Sequence, residues 1–169
     1  MENIIVRIGT KQDWNSIHSI NWQIYVNELQ QHNTAPGVTH LIDRNHEINT
    51  YVVAESQEQI IGFLAITAFT GQPFSFEKRL PDATFVDAFR HKAIEVRLLS
   101  LMPEHRNISN FFKLGSFVKN WIKDNGYDYV FVSGIDKAID LYKMIGFVPI
   151  APEVNEGKVN YTPMVLVAK

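Results

Sequence analysis

Hydrophobic and polar positions follow distinct rhythms along this chain, and each rhythm predicts an element. Ile4-Ile5-Val6-Arg7-Ile8 is rich in β-branched side chains and stops at Gly9-Thr10, which predicts a short strand. Thr10, followed three residues later by Asp13, is a near relative of the capping box. Trp14, Ile17, Ile20 or Asn21, Ile24, Tyr25 and Leu29 then recur at helical spacing, so one amphipathic helix is predicted over 11–31. Residues 32–49, with Pro36 and Gly37, predict a loop with at most a short helix. Two strand-like runs come next, Tyr51–Glu55 and Ile60–Thr67, and the polar turn-sized segment between them predicts an antiparallel hairpin.

The rhythm dissolves between Phe69 and Lys92, where Gly71, Pro73 and Pro81 are scattered among Phe69, Phe74, Phe76, Phe85 and Phe89. A connection of this length inside a domain tends to be functional, as a lid or pocket wall; the alternative is that the phenylalanines simply cover the core. Order returns with a long strand over 93–102, ended by Pro103. Phe111, Leu114, Gly115, Val118, Trp121 and Ile122 mark one face of a helix over 109–125, with Lys119 and Lys123 in its last turns and Gly126 as its stop. A strand over 127–133, a helix over 136–145 stopped by Gly146, and strands over 147–151 and 161–168 complete the chain, with a polar loop at Asn155–Lys158. Strand and helix alternate in the second half, which implies a parallel crossover, whereas the hairpins are antiparallel. The fold class is therefore α/β, α+β by a stricter label: a mixed, mostly antiparallel sheet of about seven strands flanked by helices, in one domain over 1–169.

Composition narrows the functions. Of the 169 residues 46% are hydrophobic and 20% charged, which suits a chain with a real core. A net charge of −2 supplies no positive field for nucleic acid or anionic membrane. The absence of cysteine excludes disulfides, thiolate zinc sites and a cysteine nucleophile. The six histidines lack metal-ligand spacing, so no metal is expected. No apolar run approaches the roughly 18 residues of a membrane span, and Met1–Thr10 lacks the parts of a secretory signal, so a cytoplasmic location is expected.

Two segments carry a resemblance. Leu99-Ser100-Leu101-Met102-Pro103-Glu104-His105-Arg106 resembles the fourth strand of the GCN5-related N-acetyltransferases (GNAT) and the turn that leaves it, Leu-x-Val-x-Pro-x-x-Arg. Ala138-Ile139-Asp140-Leu141-Tyr142-Lys143-Met144-Ile145-Gly146-Phe147 is similar to that family's Ala-Ile-x-Leu-Tyr-x-x-x-Gly-Phe. Glu95-Val96-Arg97-Leu98 is also similar to a strand of the acyl-homoserine lactone and N-acyl amino acid synthases. The resemblance implies an N-acyltransferase that moves an acetyl or longer acyl group from acyl-CoA to a small amine or amino acid by direct transfer. Alternatives are a donor presented by acyl carrier protein, or a non-catalytic binding domain on the same fold. A homodimer is also compatible.

A helix start leaves N–H groups unpaired and partly positive, which suits the phosphates of an acyl carrier. The resemblance places that start at Arg106, Asn107, Ile108, Ser109, Asn110 and Phe111, and places the backbone that meets the pantetheine arm at Leu99, Ser100 and Leu101. The chain departs from the family here. Ser109 and Phe111 replace small residues of the phosphate turn, so they are expected to crowd a pyrophosphate, and Ile135 stands where an Asn is common.

Acyl transfer to an amine calls for a base and for a proton donor to the departing thiolate. Glu95, at the start of the long strand, is the candidate base, with His91 as an alternative. Period-two geometry puts Glu95, Arg97, Leu99 and Leu101 on one face. Tyr142 is the candidate acid, and backbone N–H groups at Leu99 to Leu101 are the candidate oxyanion donors.

Overall fold

The computed structural model describes residues 4–168. Strands form at Ile5–Ile8 (β1), Asn49–Ser56 (β2), Gln59–Ala68 (β3), Ala93–Leu101 (β4), Tyr129–Ile135 (β5), Val148–Pro149 (β6), Val154–Glu156 (β7) and Val159–Val167 (β8). Hydrogen-bonded neighbours run β1-β2-β3-β4-β5-β8-β6, with β7 paired to β8. β4 and β5 are parallel, while β1/β2, β5/β8, β6/β8 and β7/β8 are antiparallel. The result is a mixed α/β sheet flanked by helices at Trp14–Trp22 (α1), Ile108–Asp124 (α2) and Ile139–Met144 (α3). The strand beyond the expected seven is β7, which lies in the predicted polar loop and folds back on β8 around Gly157 at φ 74°. Its residues carry no apolar run for a pattern to detect.

The chain divides into two compact units. The first comprises Met1–Ile66 and Leu98–Trp121. Its core joins Ile17, Ile20 and Ile24 of the N-terminal helix to Tyr51, Val53, Phe63 and Ala65, with Leu98 and Met102 packed alongside. That helix is continuous from Lys11 to Glu28 but changes type, from a 3-10 turn through α1 to a π-helical segment at Gln23–Glu28. The capping expectation holds: the Asp13 carboxylate accepts the Thr10 N–H at 2.7 Å, and Arg7 grips the same carboxylate at 2.8 and 2.9 Å. Between β2 and β3 the chain reverses through Gln57 and Glu58, both left-handed (φ 48° and 62°), a two-residue turn whose twist matches an antiparallel hairpin.

The second unit comprises Thr67–Arg97 and Ile122–Lys169. Its core is built from Phe74, Phe76, Val86, Ala93 and Phe131. The segment 69–92 is ordered by three 3-10 turns, Ser75–Arg79, Thr84–Ala88 and Arg90–Lys92. Phe76 stacks on Phe131 with centroids 4.4 Å apart, so part of the aromatic content of this segment is core, while Phe85 remains 43% exposed. Among the described residues no helix is long and apolar enough to cross a membrane, and no cluster of His, Asp and Glu could hold a metal.

Candidate active site

β4 is the first strand to place candidate residues, and it is not a regular one. Leu98 has φ 57°, a left-handed conformation that a non-glycine residue adopts only where its surroundings enforce it. Such a residue inside a strand re-aims the side chains beyond it, as a bulge does. Leu98 thus interrupts the run over which period-two spacing puts Glu95, Arg97, Leu99 and Leu101 on one face. Beyond the distortion, Gly62 of β3 lets the backbones approach closely. A Cβ on Gly62 would lie 2.5 Å from the Ser100 carbonyl oxygen and 2.7 Å from a Leu101 methyl. Ser100 is 2% exposed, and its hydroxyl has no hydrogen-bond partner. Leu99 is half-buried and Leu101 is buried.

After β4 the chain enters α2 through side-chain caps rather than glycines. Asn107 is the N-cap, its Oδ1 accepting the Asn110 N–H at 2.9 Å, and Asn110 Nδ2 donates to the His105 carbonyl at 2.9 Å. The N–H groups of Ile108 and Ser109 belong to the first turn of α2, where a helix supplies no carbonyl of its own to them. Phe111, at the end of this turn, is 7% exposed, with its ring against Phe112 at 5.9 Å. Ser109 and Ile108 are exposed. Arg106 is committed: its Nε donates to the Leu101 carbonyl at 2.8 Å, and its two terminal nitrogens clasp both oxygens of Glu28 at 2.5 Å. The π-helical segment supplies that glutamate.

In the second unit, β4 and β5 are in register only over Ala93–Tyr129, Ile94–Val130 and Glu95–Phe131, so the two strands are not zipped along their length. β5 continues to Ile135 in pairing with β8. Alternation along β5 divides its residues between two faces. Phe131, Ser133 and Ile135 lie on one, with their neighbours Glu95 and Tyr161; Val132 and Gly134 lie on the other, with Met164.

The first face is covered by the 69–92 segment. Glu95 is 1% exposed, and its carboxylate accepts the Ser75 N–H (2.8 Å), the Ser75 hydroxyl (2.6 Å) and the Phe76 N–H (2.9 Å). Burial pushes this carboxyl up from its ordinary value, and the Ser75 hydrogen bond opposes the rise. A carboxylate offers about four acceptor positions, so one, on Oε2, stays uncommitted. His91, the alternative base, is an exposed side chain edge-on to Phe69 at 5.3 Å.

α3 covers the second face. Gly134 makes room for it: a Cβ there would lie 2.8 Å from Ile139 Cδ1 and 3.3 Å from Tyr142 Cδ2. Tyr142 meets Phe147 edge-on at 5.4 Å, and its carbonyl accepts the N–H groups of Ile145 and Phe147 where Gly146 (φ 100°) ends the helix. Its ring keeps partial exposure, yet protein surrounds the phenol deeply enough that desolvation pushes it up to about 12. Tyr142 and Glu95 thus occupy opposite faces of one sheet region.

Sequence reasoning passes over Gly62, Gly134, Leu98, Glu28 and Ser75. The two glycines do carry a signal, since an interior strand glycine marks a bulge or a close approach. Leu98, Glu28 and Ser75 carry none.

Solved structures share this fold. The acyl-homoserine lactone synthase LasI superposes with a TM-score of 0.78 at 13% identity, covering 100% of this chain and 92% of its own. FeeM, an N-acyl amino acid synthase from uncultured soil microbes, gives 0.77 at 17%, covering 99% and 92%. YncA, a putative acetyltransferase from Salmonella typhimurium solved with acetyl-CoA, gives 0.65 at 16%, covering 99% and 95%. No protein-family model matches the chain, and no curated protein matches its sequence. The chain has the GNAT fold, in a form that the acyl-homoserine lactone and N-acyl amino acid synthases also share.

Proposed function

We propose that this protein is an acyltransferase that moves an acetyl or longer acyl group from acyl-CoA directly to a small amine or amino acid. The observation that supports the reading is the placement of two side chains about β5, a buried carboxylate on one face and the Tyr142 ring packed over Gly134 on the other. In direct transfer, the acceptor nitrogen bonds to the thioester carbon, the C–S bond breaks, and the nitrogen loses a proton while the sulfur gains a hydrogen bond or a proton. Because that nitrogen and that sulfur are bonded to one carbon, the step requires the thioester to lie where β4 and β5 stop pairing beyond Glu95–Phe131, within reach of both faces.

Tyr142 stays protonated at neutral pH. Full transfer from a phenol near 12 to a thiolate near 8.5 is uphill by about 5 kcal/mol, so Tyr142 acts by donating a hydrogen bond to the departing sulfur as its charge develops. Glu95 receives the acceptor's proton through its remaining Oε2 position, directly or through one water. Leu99, Ser100 and Leu101 line the pantetheine arm with backbone, and the first-turn N–H groups of Ile108 and Ser109 take phosphate, helped by the exposed positions of Asn107 and Ser109.

A second reading has the donor carried by acyl carrier protein. It is favoured by Arg106, whose guanidinium is already clasped by Glu28 rather than offered to a pyrophosphate. Thermal-shift titration with acetyl-CoA, octanoyl-CoA and octanoyl-loaded carrier protein separates the readings. A rise in Tm with acyl-CoA supports the first, a rise with loaded carrier protein alone supports the second, and silence with all three supports a non-catalytic binding domain.

A further inference from the structure

Arg79 is the least expected charge in the second unit. It belongs to the 69–92 segment, yet its side chain is only 10% exposed, and its guanidinium lies over the Tyr161 ring with the central carbon 4.1 Å from the centroid. One terminal nitrogen donates to the Ser133 hydroxyl at 3.1 Å and the other to Glu156 Oε2 at 2.8 Å. Nε is buried and has no hydrogen-bond partner.

The pattern of used and unused donors is informative. A guanidinium presents Nε and its neighbouring terminal nitrogen along one edge, spaced for the two oxygens of a carboxylate. Glu156 engages that edge through a single oxygen, which it also shares with Lys78 at 3.4 Å. Two cations therefore face one carboxylate, and half of a fork stays empty. Glu156 sits on β7, the three-residue strand of an exposed hairpin, and its side chain is 32% exposed. It is a replaceable partner on a fixed cation.

Position gives that cation a use. Ser133 shares its face with Glu95 and is one residue from Gly134, over which Tyr142 packs from the other side. Resting on the acyl-transfer reading, we propose that Arg79 recognises the carboxylate of the acceptor, so that the acceptor class is amino acids rather than simple amines, and that Glu156 occupies the position until such a carboxylate displaces it. Arg79 then holds the acceptor on the face where Glu95 takes its proton. Tyr161 and Ser133 fix the guanidinium in place.

The test compares L-phenylalanine with phenethylamine and L-leucine with isoamylamine, which differ only in the carboxylate. Binding is followed by thermal shift and calorimetry on the full chain, and turnover separately by thiol release from octanoyl-CoA; the chain contributes no cysteine to that signal. At least one amino acid is expected to bind about tenfold or more tightly than its amine, and Arg79→Gln to abolish the difference. Glu156→Gln, at a half-exposed position, is expected to strengthen amino acid binding severalfold while leaving the amines unaffected. Arg79→Lys keeps the charge without the fork and should fall between. Equal binding of acid and amine, or discrimination that survives in Arg79→Gln, overturns the proposal, as does a Glu156→Gln variant that folds and binds no amino acid. If amino acids bind through Arg79 but no thiol is released from either acyl-CoA or loaded carrier protein, the carboxylate site stands and the acyl-transfer reading falls.

Discussion

On one side of β5, Phe131 and Ser133 meet the 69–92 segment through a buried carboxylate, an arginine fork and stacked rings; on the other, Gly134 makes a close packing contact with Ile139 and Tyr142. The polar side is ordered by hydrogen bonds that each specify a geometry, so removing one leaves a buried donor unsatisfied. The packed side does not tolerate the gain of a methyl at Gly134. Two neighbouring positions of one strand thus present opposite sensitivities, and the proposed chemistry obeys the same division: proton acceptance where polar groups are fixed, and hydrogen-bond donation to sulfur where a phenol is desolvated.

The largest test of this contrast is Glu95→Ala, which strips one buried and two part-buried donors of their acceptor and is expected to cost about 3–5 kcal/mol, read as the shift of a urea midpoint. Glu95→Gln should be milder in stability and still abolish the pH dependence that Glu95 gives to turnover. On the other face, Tyr142→Phe is expected to lower kcat about 100-fold with thioester affinity nearly unchanged. The phenol also carries a signature in stability. Its folded value of about 12 lies above the unfolded value near 10, so its contribution is full below pH 10 and lost as pH rises toward 12; Tyr142→Phe should lack that alkaline loss.

Gly134→Ala comes next, at roughly 2 kcal/mol, because the new methyl must displace Ile139 or Tyr142 in a packed contact. Its kcat should fall more than its stability, since the methyl moves Tyr142; unaltered turnover would argue that Tyr142 does not touch the reacting sulfur. The smallest effect lies far from the chemistry. The Arg7 hydrogen bond holds Asp13 down at about 2 despite burial, so its stabilisation is present above the unfolded value near 4 and lost as pH falls toward 2. Because Arg7 is partly exposed, the loss should amount to about 1 kcal/mol, and Asp13→Asn should flatten the acid limb of the stability profile.

Much of this fold can be read from the sequence because its signals are local. The hairpin, the long strand ended by Pro103, the α2 face and the Tyr142 helix each declare themselves within a dozen residues. The hidden features depend on partners far apart in the chain. Arg106 and Glu28 are 78 positions apart, and Arg79 and Glu156 are 77. The left-handed Leu98 carries no glycine or proline to announce it, and nothing in Gln23–Glu28 marks a π-helical segment. The 69–92 segment shows no period because its order comes from Glu95, Glu77 and Arg79 side chains rather than from a backbone repeat. Phe111 is buried, as its place on the apolar face of the predicted helix implied, and the turn before it is held by the side-chain caps of Asn107 and Asn110, which no local signal announces.

The most direct measurement is thiol release from octanoyl-CoA and from octanoyl-loaded carrier protein in the presence of a mixed amino acid pool, with N-acylated products identified by mass spectrometry. Acceptor-dependent thiol release matched by an N-octanoyl amino acid, and slowed about 100-fold by Tyr142→Phe, is the expected result. Release that ignores the acceptor, or is equally fast in Tyr142→Phe, would contradict the account.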